Sequence, residues 1–199
     1  MITATEPTRK DHILVEAARL FREMGFKAAS MRDLAGAVGV EAASLYNHIS
    51  SKQELLETIC MTIANRYLET ITEAEKDGNS PIEKITTLIT LHIRVITNNP
   101  HMVAVAHDEW RHLDELVKQD FIKKRNEYEA TLKGWIEEGK KLGELRMLDT
   151  EIMLFTLLSS LQWLHHWFRA ERSIDKQELE NEMVGLLLNG INNLGATHE

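Results

Sequence analysis

Apolar residues recur every three to four positions along nearly the whole chain and rarely alternate with polar ones, which is the spacing of helices and not of strands. Prolines stand only at 7, 81 and 100, so long stretches are free of helix breakers. An all-α fold is therefore predicted. The first helix is expected from about Thr8 to Met24, with Ile13, Ala17, Leu20, Phe21 and Met24 on one face and Gly25 ending it. A second starts behind Ser30, whose hydroxyl caps free N–H groups while Asp33 reaches back; it turns Met31, Leu34, Ala35 and Val38 inward and stops at Gly39. A short third helix covers about residues 42 to 48. The fourth begins behind Ser51, in the capping box SKQE, and Leu55, Ile59, Ile63, Tyr67 and Ile71 carry it to about Lys76.

The clearest break in the chain is DGNSP, where Ser80 is a cap and Pro81 takes the first helical position. A helix over about 81 to 98 ends at NNP, and a shorter one follows from about His101 to His112. A long helix from about Asp114 to Lys141 closes at KKLGE. Asp149 caps an apolar helix expected to end near Arg169. The last helix, about 175 to 194, lines up Leu179, Met183, Leu186, Leu187, Gly190, Ile191 and Leu194. No internal repeat or low-complexity tract interrupts this series.

Composition narrows the picture. A chain of 199 residues can bury a sizeable core without metals or disulfides, and its single cysteine, Cys60, lies in an apolar helical pattern where it reads as a small buried hydrophobe. The start MITATEPTRKDHI has no apolar run behind a basic segment, so a cytoplasmic protein is expected. The uncharged stretch IMLFTLLSSLQWLHHWF contains serines, a glutamine and two histidines and is shorter than the roughly 20 apolar residues of a membrane span; no membrane partner is expected. The net charge is -8. Residues 1 to 56 are neutral, with seven basic and seven acidic side chains, so the rest of the chain carries the whole excess. A neutral head on an acidic body suits a protein that approaches phosphate by one end.

Two helices joined at a glycine, with a small residue four positions earlier, make a helix-turn-helix plausible. Ala35 lets the third helix approach the second, Gly39 permits the turn, and Val40 and Leu45 fill the space between. Such a unit places its second helix in the DNA major groove. The segment SMRDLAGAVGVEAASLYNHISSKQELL resembles the DNA-binding segment of the TetR family of bacterial transcriptional repressors, over about residues 10 to 56. The resemblance implies that residues 41 to 48 form the recognition helix. It implies a contact set of Ser30, Arg32, Glu41, Ala42, Ala43, Ser44, Tyr46, Asn47, His48 and Lys52, with Tyr46 and His48 at the phosphate-facing end and Lys52 holding a phosphate. Many family members have serine where this chain has Glu41 and a polar or basic residue where it has Ala42. Carboxylate and methyl groups there make the groove contacts few and apolar. Taken singly, Tyr46 reads equally as surface packing and Lys52 as a solvated lysine.

One helix-turn-helix reads too few base pairs, so double-stranded operator DNA with a palindrome calls for a homodimer. The helices over 152 to 168 and 175 to 194 are the expected dimer elements, because a helix apolar nearly all round is buried on more than one side. Two domains follow: residues 1-52 for DNA, and residues 53-199, six helices, for effector binding and dimerisation. The region RNEYEATLKGWIEEGKKLGELRMLDTE followed by SSLQWLHHWFR is similar to a TetR subgroup that regulates fatty acid and sterol catabolism, which implies an acyl-CoA effector. An elongated apolar ligand needs a tunnel of aromatic and flexible side chains. Met102, Phe121, Tyr128, Trp163 and Trp167 are its candidates, with Trp163 and Trp167 sharing a helical face, and Arg125, Arg146 and Arg169 are placed for charged head groups. Aromatic residues at this spacing also read as plain core. The expected mechanism is an equilibrium between two domain spacings that the effector shifts, with the fourth helix as the lever. No cofactor, metal or catalytic role is expected. The rivals are a metal-dependent enzyme, through His107, Asp108 and His112 of HDEWRH, and a helical interaction module with a degenerate DNA head.

Overall fold

A computed structural model describes residues 8–168 and 174–191. Helices make up the regular secondary structure of the described residues. In chain order they form α1 Arg9–Met24, α2 Met31–Val38, α3 Ala42–Leu45, α4 Lys52–Asp77, α5 Pro81–Asn98 and α6 Pro100–Asp108. A 3-10 turn, Trp110–His112, follows, and then α7 Glu115–Lys141, α8 Thr150–Gln162, α9 Leu164–Trp167 and α10 Lys176–Ile191. Among the described residues no helix is long and apolar enough to cross a membrane. The chain divides into two compact units, one of Met1–Ala64 with His101–Phe121, the other of Asn65–Pro100 with Ile122–Glu199.

In the first unit the capping residues act as their spacing predicts. The Thr8 hydroxyl accepts from the Asp11 N–H while the Asp11 carboxylate accepts from the Thr8 N–H, and Ser30 and Asp33 repeat the exchange at α2. Those hydrogen bonds favour the ionised acids and hold both carboxyls below their usual range. Gly39 ends α2 in the left-handed region (φ 72), where an L side chain is disfavoured. Its N–H donates to Gly36 and that of Val40 to Ala35, a helix-terminating pair that redirects the chain into α3. The core of this unit is Ile13, Ala17, Leu20 and Phe21 of α1 with Leu34, Ala35, Leu45, Ile49, Leu55, Leu56 and Ile59, all buried. Met24 departs from the expected face and is exposed, because α1 stops there and Phe26 occupies the inward position in the following turn.

The short third helix ends earlier than expected. After Leu45 the N–H groups of Asn47 and His48 donate to Ser44 and Leu45, so the chain tightens from α-helical to three-residue bonding over 46 to 48. The apolar helix expected from Asp149 to about Arg169 is likewise two pieces. Asp149 does cap it, but α8 ends at Gln162 and the short α9 follows Trp163; Phe168 is then extended, and Arg169 lies outside the described residues. A close contact between the His165 ring and the Gln162 carbonyl marks the break. Among the described residues from Lys52 onward, α4 to α10 are therefore seven α-helices where six were expected.

In the second unit α5 packs against α8, α9 and α10. Its apolar face, Ile85, Leu88, Ile89, Ile93 and Ile96, is fully buried together with Leu157, Leu158 and Leu161. Arg94 of α5 makes a two-pronged ion pair with the buried Glu180 of α10, at 2.9 to 3.1 Å, and the Arg146 N–H donates to the Ile191 carbonyl at 2.9 Å. Leu179 and Ile191 of the expected α10 stripe are buried, Met183 and Leu187 are half-buried, and Leu186 points outward at 76% exposure. Leu194 lies outside the described residues.

Candidate nucleic-acid interface

Most of the expected contact residues are exposed and alternate along the chain with two buried apolar side chains. Leu45 and Ile49 are buried (0% and 2% exposed), and between and around them Glu41, Ala42, Ala43, Tyr46, Asn47 and His48 are exposed while Ser44 is half-buried. Tyr46 is 54% exposed, so its ring is not a core element of this unit. Ser30 and Arg32, at the start of α2, are exposed as well. The α3 surface offers one carboxylate, two methyl groups, hydroxyls, an amide and an imidazole, a mixture that suits base edges better than it suits charge neutralisation. Arg9, Lys10, Lys27 and Arg32 of the same unit are exposed cations, and Lys10 pairs with Glu54 at 3.5 Å.

Lys52 stands differently from its neighbours. It is half-buried, and its ammonium donates to the carbonyls of Phe26 at 2.7 Å, Ala29 at 2.8 Å and Lys27 at 3.3 Å. The Phe26 ring lies 4.5 Å from it. The N-terminus of α4 is capped by the Ser51 hydroxyl, which accepts from the Glu54 N–H, and the Glu54 carboxylate accepts from the Ser50 N–H. That last bond holds the Glu54 carboxyl below its ordinary value.

Sequence reasoning missed a second set of residues in the same unit. The Glu109 carboxylate accepts from the Phe26 N–H at 3.2 Å, the His112 ring stacks on Phe26 at 5.8 Å between centres, and Gln53 donates to the His112 carbonyl at 3.1 Å. No local signal marks them: 83 positions separate Phe26 from Glu109. HDEWRH does not present Asp108 and His112 on one helical face, because α6 ends at Asp108 and His112 belongs to the 3-10 turn beside Glu109.

The expected effector residues divide between the units. In the first, Met102 and Phe121 are buried, and Phe121 stacks on Trp110. In the second, Tyr128 is buried with its hydroxyl 2.8 Å from His92 Nδ1, and the Tyr67 ring stacks on His92 at 4.4 Å. Burial pushes both phenols up. Arg125 is exposed and faces Glu129 at 3.7 Å, and Arg146 is exposed. Trp163 and Trp167 do not share a continuous helix, since the chain breaks at Trp163; Trp163 is 64% exposed and Trp167 half-buried. Within α9 the adjacent His165 and His166 rings lie 4.0 Å apart between centres. Ile152 (66%) and Phe155 (51%) share the outer side of α8 with Thr156 and Ser159, and with Ser160 and Glu151 line a shallow groove.

A left-handed glycine turn between two short helices, with an exposed second helix over a buried leucine, defines a helix-turn-helix regulator. The comparisons place the chain further. Residues 13–59 match the family described as bacterial regulatory proteins, tetR family, and residues 78–191 match the tetracyclin repressor-like C-terminal domain. The chain belongs to the TetR family of transcriptional regulators, whose members are not enzymes. It is 26% identical over 195 residues to the HTH-type transcriptional repressor KstR2 of Mycolicibacterium smegmatis, spanning 95% of this chain and 94% of that one. Its fold superposes on the ketosteroid transcriptional regulator KstR2 of Mycobacterium tuberculosis with a TM-score of 0.89 at 20% identity, covering 96% and 99% of the two chains. AibR, solved with isovaleryl coenzyme A and operator DNA, superposes with a TM-score of 0.77 at 24% identity over 91% and 98%.

Proposed function

We propose that the protein is a homodimeric repressor that binds palindromic operator DNA and leaves it when a small apolar effector, an acyl-CoA thioester, is bound. The observation that carries the DNA half of this reading is the α3 surface: Glu41 to His48 stand out to solvent over the buried Leu45 and Ile49. Ser30, Arg32, Tyr46 and His48 flank it as backbone contacts, and the remaining α3 side chains face the bases. The boundary between a DNA-binding domain and an effector domain falls near residue 52, and α4 is the covalent link between them.

The dimer is supported by the outer side of α8. Ile152, Phe155 and Trp163 follow helical spacing, with the small Thr156 and Ser159 between them, and isolated monomers rarely leave such a stripe in water. A two-fold axis would lay this stripe and the outward Leu186 of α10 against the same surfaces of a second copy. The effector class is supported by the relatives, one of them a regulator solved with isovaleryl coenzyme A, and Arg125, Tyr128 and Trp167 of the second unit are its proposed contacts. Native mass spectrometry of freshly purified protein tests the dimer half and the effector half together. A dimer carrying a coenzyme A thioester is expected; a monomer, or a retained ligand without an acyl tail, overturns the corresponding half.

A further inference from the structure

The turn between α1 and α2 is gripped from two sides by groups far away in sequence. On one side, the three carbonyls of Phe26, Lys27 and Ala29 meet the Lys52 ammonium. An ammonium has three N–H donors, so this arrangement uses all of them. On the other side the Glu109 carboxylate takes the Phe26 N–H, and Glu109 and His112 approach each other to 3.4 Å while the His112 ring covers that of Phe26. Gln53, next to Lys52, closes the circuit by donating to the His112 carbonyl. Gly25 (φ 83) leaves the space above it to Glu109, whose oxygen lies 3.6 Å from where a side chain would begin.

We propose that Lys52 is a positioning residue of the DNA-reading unit and not a phosphate contact, and that it clamps the α1–α2 turn jointly with Glu109. This rests on the DNA reading above. Turning the ammonium outward to a phosphate would strip three turn carbonyls of their donor, and the Phe26 ring would lose its cation. Held inward, Lys52 fixes where α2 starts relative to α1 and α4, and thereby where α3 is presented.

The test uses the full-length protein and a duplex enriched from a random pool by the wild type, with affinity measured by fluorescence anisotropy as salt is raised. Lys52→Met is expected to bind at least about tenfold more weakly with an unchanged slope of log affinity against log salt. A lost phosphate contact instead flattens the slope by about 0.9 per lysine, close to two per dimer, and that result overturns the proposal. Lys52→Arg keeps the charge but its planar fork cannot satisfy three converging carbonyls, so it is expected to be weakened as well; wild-type affinity would contradict the clamp. Glu109→Ala should show the same weakening at constant slope, and unaltered binding removes Glu109 from the proposal. Should Lys52→Met fail to fold, the wild type still decides. Nitrogen-detected NMR of the Lys52 ammonium should give a slowly exchanging signal that stays in place when duplex is added, and a shift on binding overturns the clamp. A wild type that enriches no duplex sinks the DNA reading itself, whereas normal enrichment with a flattened Lys52→Met slope sinks only the clamp.

Discussion

The chain contains two pairs of short helices set behind caps, α2 with α3 and α8 with α9, and they end up with opposite surfaces. The first pair turns at a left-handed glycine, hides Leu34, Ala35 and Leu45, and shows the solvent hydroxyls, an amide, an imidazole and a carboxylate. The second breaks at Trp163 without a glycine, hides Met153, Leu154, Leu157, Leu158 and Leu161, and shows the solvent Ile152, Phe155 and Trp163. A hydrated surface of mixed hydrogen-bonding groups suits a polar partner such as a DNA groove, whereas an apolar stripe gains only from another apolar surface. The proposed division, DNA for one pair and a second copy of the chain for the other, rests on this contrast.

The sharpest way to break the contrast is to truncate the buried leucine of α3. Leu45→Ala should destabilise the first unit by about 2–5 kcal/mol in urea unfolding and abolish duplex binding, because a buried leucine leaves a cavity. A loss below about 1 kcal/mol would mean that α3 does not rest on this core. On the other pair, Phe155→Glu should weaken self-association by more than about 2 kcal/mol by sedimentation while leaving the helical circular dichroism intact. An unchanged dimer would remove the α8 stripe from the interface. Within the second unit, Tyr128→Phe takes a hydroxyl from His92 and should cost about 1–3 kcal/mol of stability, read by denaturant titration.

The smallest expected effect is a pH dependence in the first unit. The Ser50 N–H bonded to Glu54 lowers that carboxyl below its ordinary 4.5, with desolvation opposing. A depressed acid contributes stability above its unfolded value and loses it as pH falls through the folded one. The stability difference between wild type and Glu54→Gln should therefore be flat above about pH 5 and shrink as pH drops below 4.5. A difference that grows toward acid would contradict the sign.

What could be read from the sequence was set by how local the physics is. Ser30 with Asp33, Ser80 with Pro81, Gly39 after α2 and the inward series Leu55, Ile59, Ile63 are decided within a turn or two of chain, and all appear where expected. The α3 contact set comes instead from the resemblance of the segment around Tyr46 to TetR proteins, and the structure adds that most of it is exposed. The partners of Lys52 lie 23 to 26 positions away, His92 and Tyr128 are 36 apart, and Glu109 reaches back across 83, so only the folded chain reveals them. The break at Trp163 carries no glycine or proline in the sequence, and its side-chain contacts arise only once α9 packs on α5.

The central claim, a paired reading head built on α3, is tested most directly by selecting duplexes from a random pool with the purified protein. The account predicts enrichment of a palindrome whose half-sites lie about one helical turn, or a multiple of it, apart, with enrichment lost in a folded variant carrying Tyr46→Ala and Asn47→Ala. Enrichment of no sequence, or of the same sequence by that variant, would contradict it.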